Sequence, residues 1–92
     1  MKLLEEHRHK IDYIDDRIID LLAERFEVVR DVASLKAEND IPAVLPDRVE
    51  EVIERCATRA DGKRTSPELV RLLYTLIVDH ACALEEEIIS KR

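Results

Sequence analysis

A chain of 92 residues with one glycine, three prolines and 39% charged side chains has the composition of a single domain, residues 1–92, built mostly of long helix. Its net charge of −6 argues against nucleic acid or an anionic membrane surface as a partner. Any anion site must then be a local cluster of cations set against the overall field.

No stretch alternates with period two between turn signals, so strands are not expected. The first ten residues hold no apolar run of signal-peptide length, and nothing in the chain is apolar enough to span a bilayer. The first predicted helix runs from about Leu3 to about Glu38. Its seam reads Leu4, His7, Ile11, Ile14, Ile18, Leu21, Arg25, Val28, Val32 and Leu35, with steps alternating between three and four. Such a helix is about 50 Å long. Two short helices of the same chain cannot bury a seam of that length, and a second copy is the simplest partner.

Asn39, Asp40, Ile41 and Pro42 end this helix, because proline disfavours the helical conformation of the residue before it. The second helix opens at Pro46, with Asp47 beside its positive end, and turns Val49, Val52, Ile53, Cys56 and Ala57 inward. Asp61 and Gly62 break it. Ser66, Pro67 and Glu68 then read as N-cap, N1 and N2 of a third helix that runs to about Ser90. Leu69, Leu73, Leu76, Ile77, Leu84 and Ile88 form its expected buried side. The two cysteines, Cys56 and Cys82, have neither CxxC nor metal-ligand spacing, so free thiols in a reducing cytoplasm are expected.

The informative residues are those that break the apolar pattern. Arg25 interrupts the seam. It is either a buried arginine satisfied by a carboxylate, or one that snorkels to the surface, or a guanidinium held in a dry cavity where its planar fork binds a ligand carboxylate. Lys36 follows eleven residues later, nearly a whole number of turns, so the two cations share a face about 16 Å apart. Arg8 lies seventeen residues before Arg25, about 25 Å away and rotated by about 100°. It cannot reach the same site along one straight helix, but in an antiparallel dimer it could reach a partner's site. Arg48, in the first turn of the second helix, is a fourth candidate cation, although such residues are usually just solvated. Glu85 stands among Val78, Ala81, Cys82, Ile88 and Ile89 on the third helix. A lone carboxyl there is either exposed at the stripe's edge or has its protonation set by its surroundings. Glu86 and Glu87 follow directly and keep the solvated reading open. The histidines of the first helix, His7 and His9, point to different sides, and His80 has no sequence partner, so no metal site is expected.

These residues resemble the all-helical (AroQ) class of chorismate mutases over essentially the whole chain. The resemblance rests on Arg8, then Ile11-Asp12 and Ile14-Asp15, then Leu22-Ala23-Glu24-Arg25, Lys36, Pro46 and Arg48, and a polar residue at 85. It implies an intertwined homodimer of three-helix chains that rearranges chorismate to prephenate, on the route to aromatic amino acids, without cofactor or metal. Arg8 would come from the partner chain and grip one substrate carboxylate, while Arg25 binds the other. Lys36 would hydrogen-bond the ether oxygen, Arg48 would hold the ring end, and Glu85 would also donate to the ether oxygen. The reaction is unimolecular, so such a site has to hold a small extended dianion in its chair form and to stabilise charge growing on the breaking C–O bond.

Three positions depart from that class. Val49 stands where glutamate usually touches the C4 hydroxyl, Leu45 where aspartate is common, and Ala81 where some members have serine. The pocket around C4, which Val49 and Ala81 line, is therefore unusual. Isochorismate pyruvate lyases share the valine after Pro-x-Arg. The 4-amino-4-deoxychorismate mutases resemble this chain more closely at Ile41-Pro42, at Arg48-Val49 and at Cys82 with Glu85. An ionised Glu85 suits a C4 ammonium, whereas chorismate would need it protonated. Outside the enzymes, a helical dimerisation module would explain the heptad but not an arginine within it.

Overall fold

The computed structural model describes residues 1–91. Three α-helices make up the fold: α1 (Lys2–Glu38), α2 (Pro46–Asp61) and α3 (Pro67–Ser90). The all-α, three-helix reading holds, with helix ends within a residue or so of expectation. At 1.5 Å per residue α1 is about 55 Å long, and it sets the 56 Å long axis of the molecule. The radius of gyration is 16.6 Å, against about 12 Å for a compact domain of this length. The excess has one source: every residue of α1 from 2 to 21 is exposed.

The ends of the helices have local causes. Asn39 caps α1, with its side-chain amide donating to the Leu35 carbonyl at 2.8 Å. Asp40 then turns the chain at φ 55°, and the Ile41 N–H reaches back to the Lys36 carbonyl at 2.9 Å. Pro46 starts α2 at a position where its missing N–H costs nothing. Ser66 caps α3, its hydroxyl oxygen accepting from the Leu69 N–H at 3.1 Å. Gly62 does not provide the left-handed residue between α2 and α3; its φ is −70°, and Arg64 takes φ 56° instead.

α3 packs against both α1 and α2, whereas α1 and α2 make no direct helix contact. Two cross-helix pairs fix how α1 lies on α3. Arg25 stands over the Tyr74 ring, 5.9 Å from guanidinium carbon to ring centroid, and Lys36 lies 2.8 Å from Glu85. Lys36 follows Arg25 by eleven residues and Glu85 follows Tyr74 by eleven. The two helices therefore run parallel and in register over three turns. Phe26 meets His80 edge-on between these pairs, with centroids 5.2 Å apart. α2 returns antiparallel to α3 through the connection 62–66, and Arg71 grips both carboxylate oxygens of Glu54 at 3.0 and 3.2 Å on the outside.

The face of α1 that packs on α3 is Leu22, Arg25, Phe26, Val29, Ala33 and Ala37. It shares only Arg25 with the heptad seam and otherwise lies beside it. Leu21, Val28 and Leu35 are 57–59% exposed. The first half of α3 differs from expectation in the same way. Leu69, Leu73 and Leu76 are exposed, while Tyr74, Val78, Ala81 and Glu85 face inward. Both helices carry apolar residues around more than one face, and periodicity alone does not say which face meets the chain's own helices. The buried core of the described residues is seven alanines and valines, and no large side chain is fully buried. A core of small residues lets helices approach closely, and it is intolerant of added volume. Ala33, wholly buried on α1, is the sharpest case. Ala33→Leu should destabilise the chain by about 2 kcal/mol in denaturant titration; an unchanged midpoint would show that α1 and α3 are not closely packed there.

Candidate active site

Because α3 holds α1 and α2 apart, a cleft of 520 Å³ opens between them, with α3 as its floor. Of the seven residues singled out from sequence, six line it: Arg25, Lys36, Arg48, Val49, Ala81 and Glu85. Arg8 does not. It is exposed on the free half of α1, about 25 Å along the axis from Arg25. The chain by itself thus assembles every candidate except that one.

Lys36 and Glu85 meet at the inner end of the cleft. The Lys36 ammonium donates to the Ala43 carbonyl at 2.8 Å and lies 2.8 Å from Glu85 Oε1. The connection after α1 is therefore more than a linker, because its buried Ala43 presents the carbonyl that holds Lys36 in place. Glu85 is only 7% exposed, which excludes the solvated reading of this carboxyl. Glu85 Oε1 is buried, and the Lys36 ammonium 2.8 Å away is its partner.

Arg25 has no such partner. Its Nη1 is buried with no acceptor, and its one close companion is the uncharged face of Tyr74. The sequence leaves three readings of this arginine open. The one in which a carboxylate satisfies it within the chain is not what is found. A buried unsatisfied polar atom costs about 1–3 kcal/mol, and native structures hold few of them. A free donor on Arg25, in a cleft with apolar walls, is what a site for a polar ligand presents.

Apart from Glu24 and the Cys82 thiol, the remaining walls are apolar. Val28 and Val32 come from α1, Val49 and Val52 from α2, and Val78 and Ala81 from α3. Arg48 stands at the mouth, largely exposed and ion-paired with Glu51 one turn on. Sequence reasoning placed Cys82 beside Glu85 but passed over Tyr74 as a site neighbour. Burial, and after it the Glu85 carboxylate, pushes the Cys82 thiol above its usual range. Burial and then the adjacent Cys56 thiol push the Tyr74 phenol up, with Arg25 acting against them. The spacing of eleven from Tyr74 to Glu85 matches that from Arg25 to Lys36, but it points to Tyr74 only once the parallel register of α1 and α3 is known.

The pair of Lys36 and Glu85 is nine-tenths buried or close to it. Removing one partner strands the other charge. Lys36→Met should cost about 3 kcal/mol, and adding Glu85→Leu should return most of it. Equal losses that simply add would show that the two charges are not coupled.

Residues 7–86, most of the chain, match the family model described as chorismate mutase type II. A chorismate mutase of Methanocaldococcus jannaschii is 28% identical over 88 residues, covering 96% of this chain and 89% of that protein. A 4-amino-4-deoxychorismate mutase of Streptomyces pristinaespiralis is 26% identical over 87 residues, covering 95% of this chain and 67% of that protein. A bifunctional chorismate mutase/prephenate dehydratase of Aquifex aeolicus is 30% identical over 91 residues, covering 96% of this chain and 25% of that protein. The three-helix fold, the cationic cleft and the match over residues 7–86 agree, and the chain belongs to the type II chorismate mutase family, a family of isomerases.

Proposed function

We propose that the cleft catalyses the Claisen rearrangement of chorismate to prephenate, without a cofactor, in a homodimer that lends each site one residue. The observation that carries this reading is Arg25: a half-buried arginine whose Nη1 is buried with no acceptor, set in a largely apolar cleft with a second cation eleven residues away. In this reading Arg25 takes one substrate carboxylate and Arg48 the ring end. Lys36 sits where the ether oxygen gains charge as the C–O bond breaks. A cation fixed there in advance does not have to reorganise during the reaction, which is the source of its effect. Each factor of ten in rate needs about 1.4 kcal/mol of differential stabilisation. Lys36 is the main catalytic residue on this view, and the Ala43 carbonyl keeps its ammonium aimed.

The dimer follows from the exposed half of α1. Leu4, Ile11, Ile14, Ile18 and Leu21 form an apolar row with nothing against it in the chain. An isolated helical stretch of this length is marginal in water, and an uncovered row of this size marks an interface. Two copies lying antiparallel along α1, with Arg8 of one level with Arg25 of the other, put the two-fold axis between residues 16 and 17. Free Cys56 and Cys82 suit a reducing cytoplasm as the place of work.

Glu85 and Val49 favour a second substrate, 4-amino-4-deoxychorismate. Chorismate offers a hydroxyl at C4, and Val49, the residue after Arg48, has no polar group to meet it. Glu85 can donate to the ether oxygen only as the protonated acid, yet it lies against an ammonium, where the carboxylate form is the natural partner. A C4 ammonium would be a second cation for this carboxylate beside Lys36.

Purified protein offered chorismate, 4-amino-4-deoxychorismate and isochorismate, with products identified by mass spectrometry, tests the reading. Prephenate is the expected product, and Arg25→Leu should lower kcat/KM by at least about a hundredfold. Faster turnover of the amino substrate, lost selectively in Glu85→Gln, would establish the second substrate. No turnover of any of the three, with Arg25→Leu merely stabilising the fold, would leave a helical dimerisation module.

A further inference from the structure

Tyr74 is the one close neighbour of Arg25 that the proposed chemistry does not use. It does not line the cleft, whereas Arg25 does. Its ring therefore meets the guanidinium from behind, 5.9 Å from ring centroid to guanidinium carbon. That lies within the range over which a ring face attracts a cation. The ring is half-buried, with its hydroxyl end beside the Cys56 thiol of α2.

The two cations of α1 are thus fixed by α3 in two different ways. Lys36 is set against a carboxylate, so its charge is largely matched within the chain. Arg25 is set against a π face, which orients a guanidinium without carrying a net charge. A carboxylate at position 74 would hold the arginine as firmly, but it would neutralise the group and compete with an incoming carboxylate for its forked donors. The ring does neither, and Nη1 stays free.

We propose that Tyr74 is a positioning residue: its ring face holds the Arg25 guanidinium aimed into the cleft while leaving the charge available to a substrate carboxylate. This rests on Arg25 as a carboxylate-binding residue, as argued above. The required property is the aromatic face, not the hydroxyl.

The test uses Tyr74→Phe and Tyr74→Leu in the full-length protein, with steady-state kinetics on whichever substrate the wild type turns over. Arg25 grips the substrate before and during the reaction, so its misplacement should act on binding more than on the chemical step. Tyr74→Leu should raise KM about fivefold with kcat changed less than twofold, and Tyr74→Phe should keep the wild-type KM. Nitrogen-15 spectra of the arginine side chains give a readout free of turnover. The Arg25 Nε–H resonance should hold its position in Tyr74→Phe, and shift and broaden in Tyr74→Leu as the guanidinium loses its fixed orientation. An unchanged KM and an unchanged resonance in Tyr74→Leu would overturn the proposal. So would equal damage in Tyr74→Phe, which would assign the role to the hydroxyl and Cys56. Should Tyr74→Leu fail to fold, Tyr74→Met supplies a flexible apolar side chain without a ring, and the same criteria apply to it. A wild type that turns over none of the three substrates contradicts the proposed reaction, and the arginine spectra still decide whether the ring orients Arg25.

Discussion

Parallel packing of α1 on α3, locked at two points eleven residues apart, is the constraint on which the site depends. It sets Arg25 against Tyr74 and Lys36 against Glu85 on one side of the pair. It also places α3 between α1 and α2, so that these two helices frame a gap instead of closing on each other. The buried core is made of alanines and valines, which permit close approach but fill little space. The cleft is a consequence of helix register and side-chain size, with no loop needed to roof it.

Electrostatics then divides the labour inside the cleft. The chain is acidic overall, yet three cations line this one cavity. Lys36 is partnered and held at its inner end, Arg25 is oriented but unneutralised, and Arg48 waits at the mouth with a carboxylate from its own helix. Ligand carboxylates would be drawn to the unmatched arginine, while the matched lysine stays aimed at a fixed point. Preorganisation of this kind suits a unimolecular reaction that needs orientation and charge stabilisation and no transfer of protons or covalent intermediates.

Much of this could be read from the residues. Helix ends were legible because Pro46, Ser66 and Pro67 act locally. Arg25, Lys36 and Glu85 were legible because a charge within an apolar stripe is conspicuous, and spacing placed the cations on one face. What sequence hid was which apolar face belongs to which neighbour. Leu69, Leu73 and Leu76 have the right period for a core row, but they face outward, while smaller residues and Tyr74 face in. Hydrophobic size suggests burial, whereas close helix approach selects for small side chains, and here the second effect decides. Tyr74 was hidden for a related reason: its role depends on the register between two helices, which neither helix encodes alone. The apolar row on the free half of α1 was legible as a row, and its exposure within the chain leaves the surface open for a partner.

One chain leaves the proposed site unfinished, because Arg8 lies too far along α1 to serve its own cleft. The most direct measurement is complementation between two inactive variants, Arg8→Ala and Arg25→Ala, co-expressed and purified together. If Arg8 serves the neighbouring cleft, each mixed dimer holds one site with both arginines intact. Random pairing should then restore about a quarter of wild-type activity from two inactive parents. Activity no higher than the average of the parents, in a preparation shown to contain mixed dimers, would contradict a shared site.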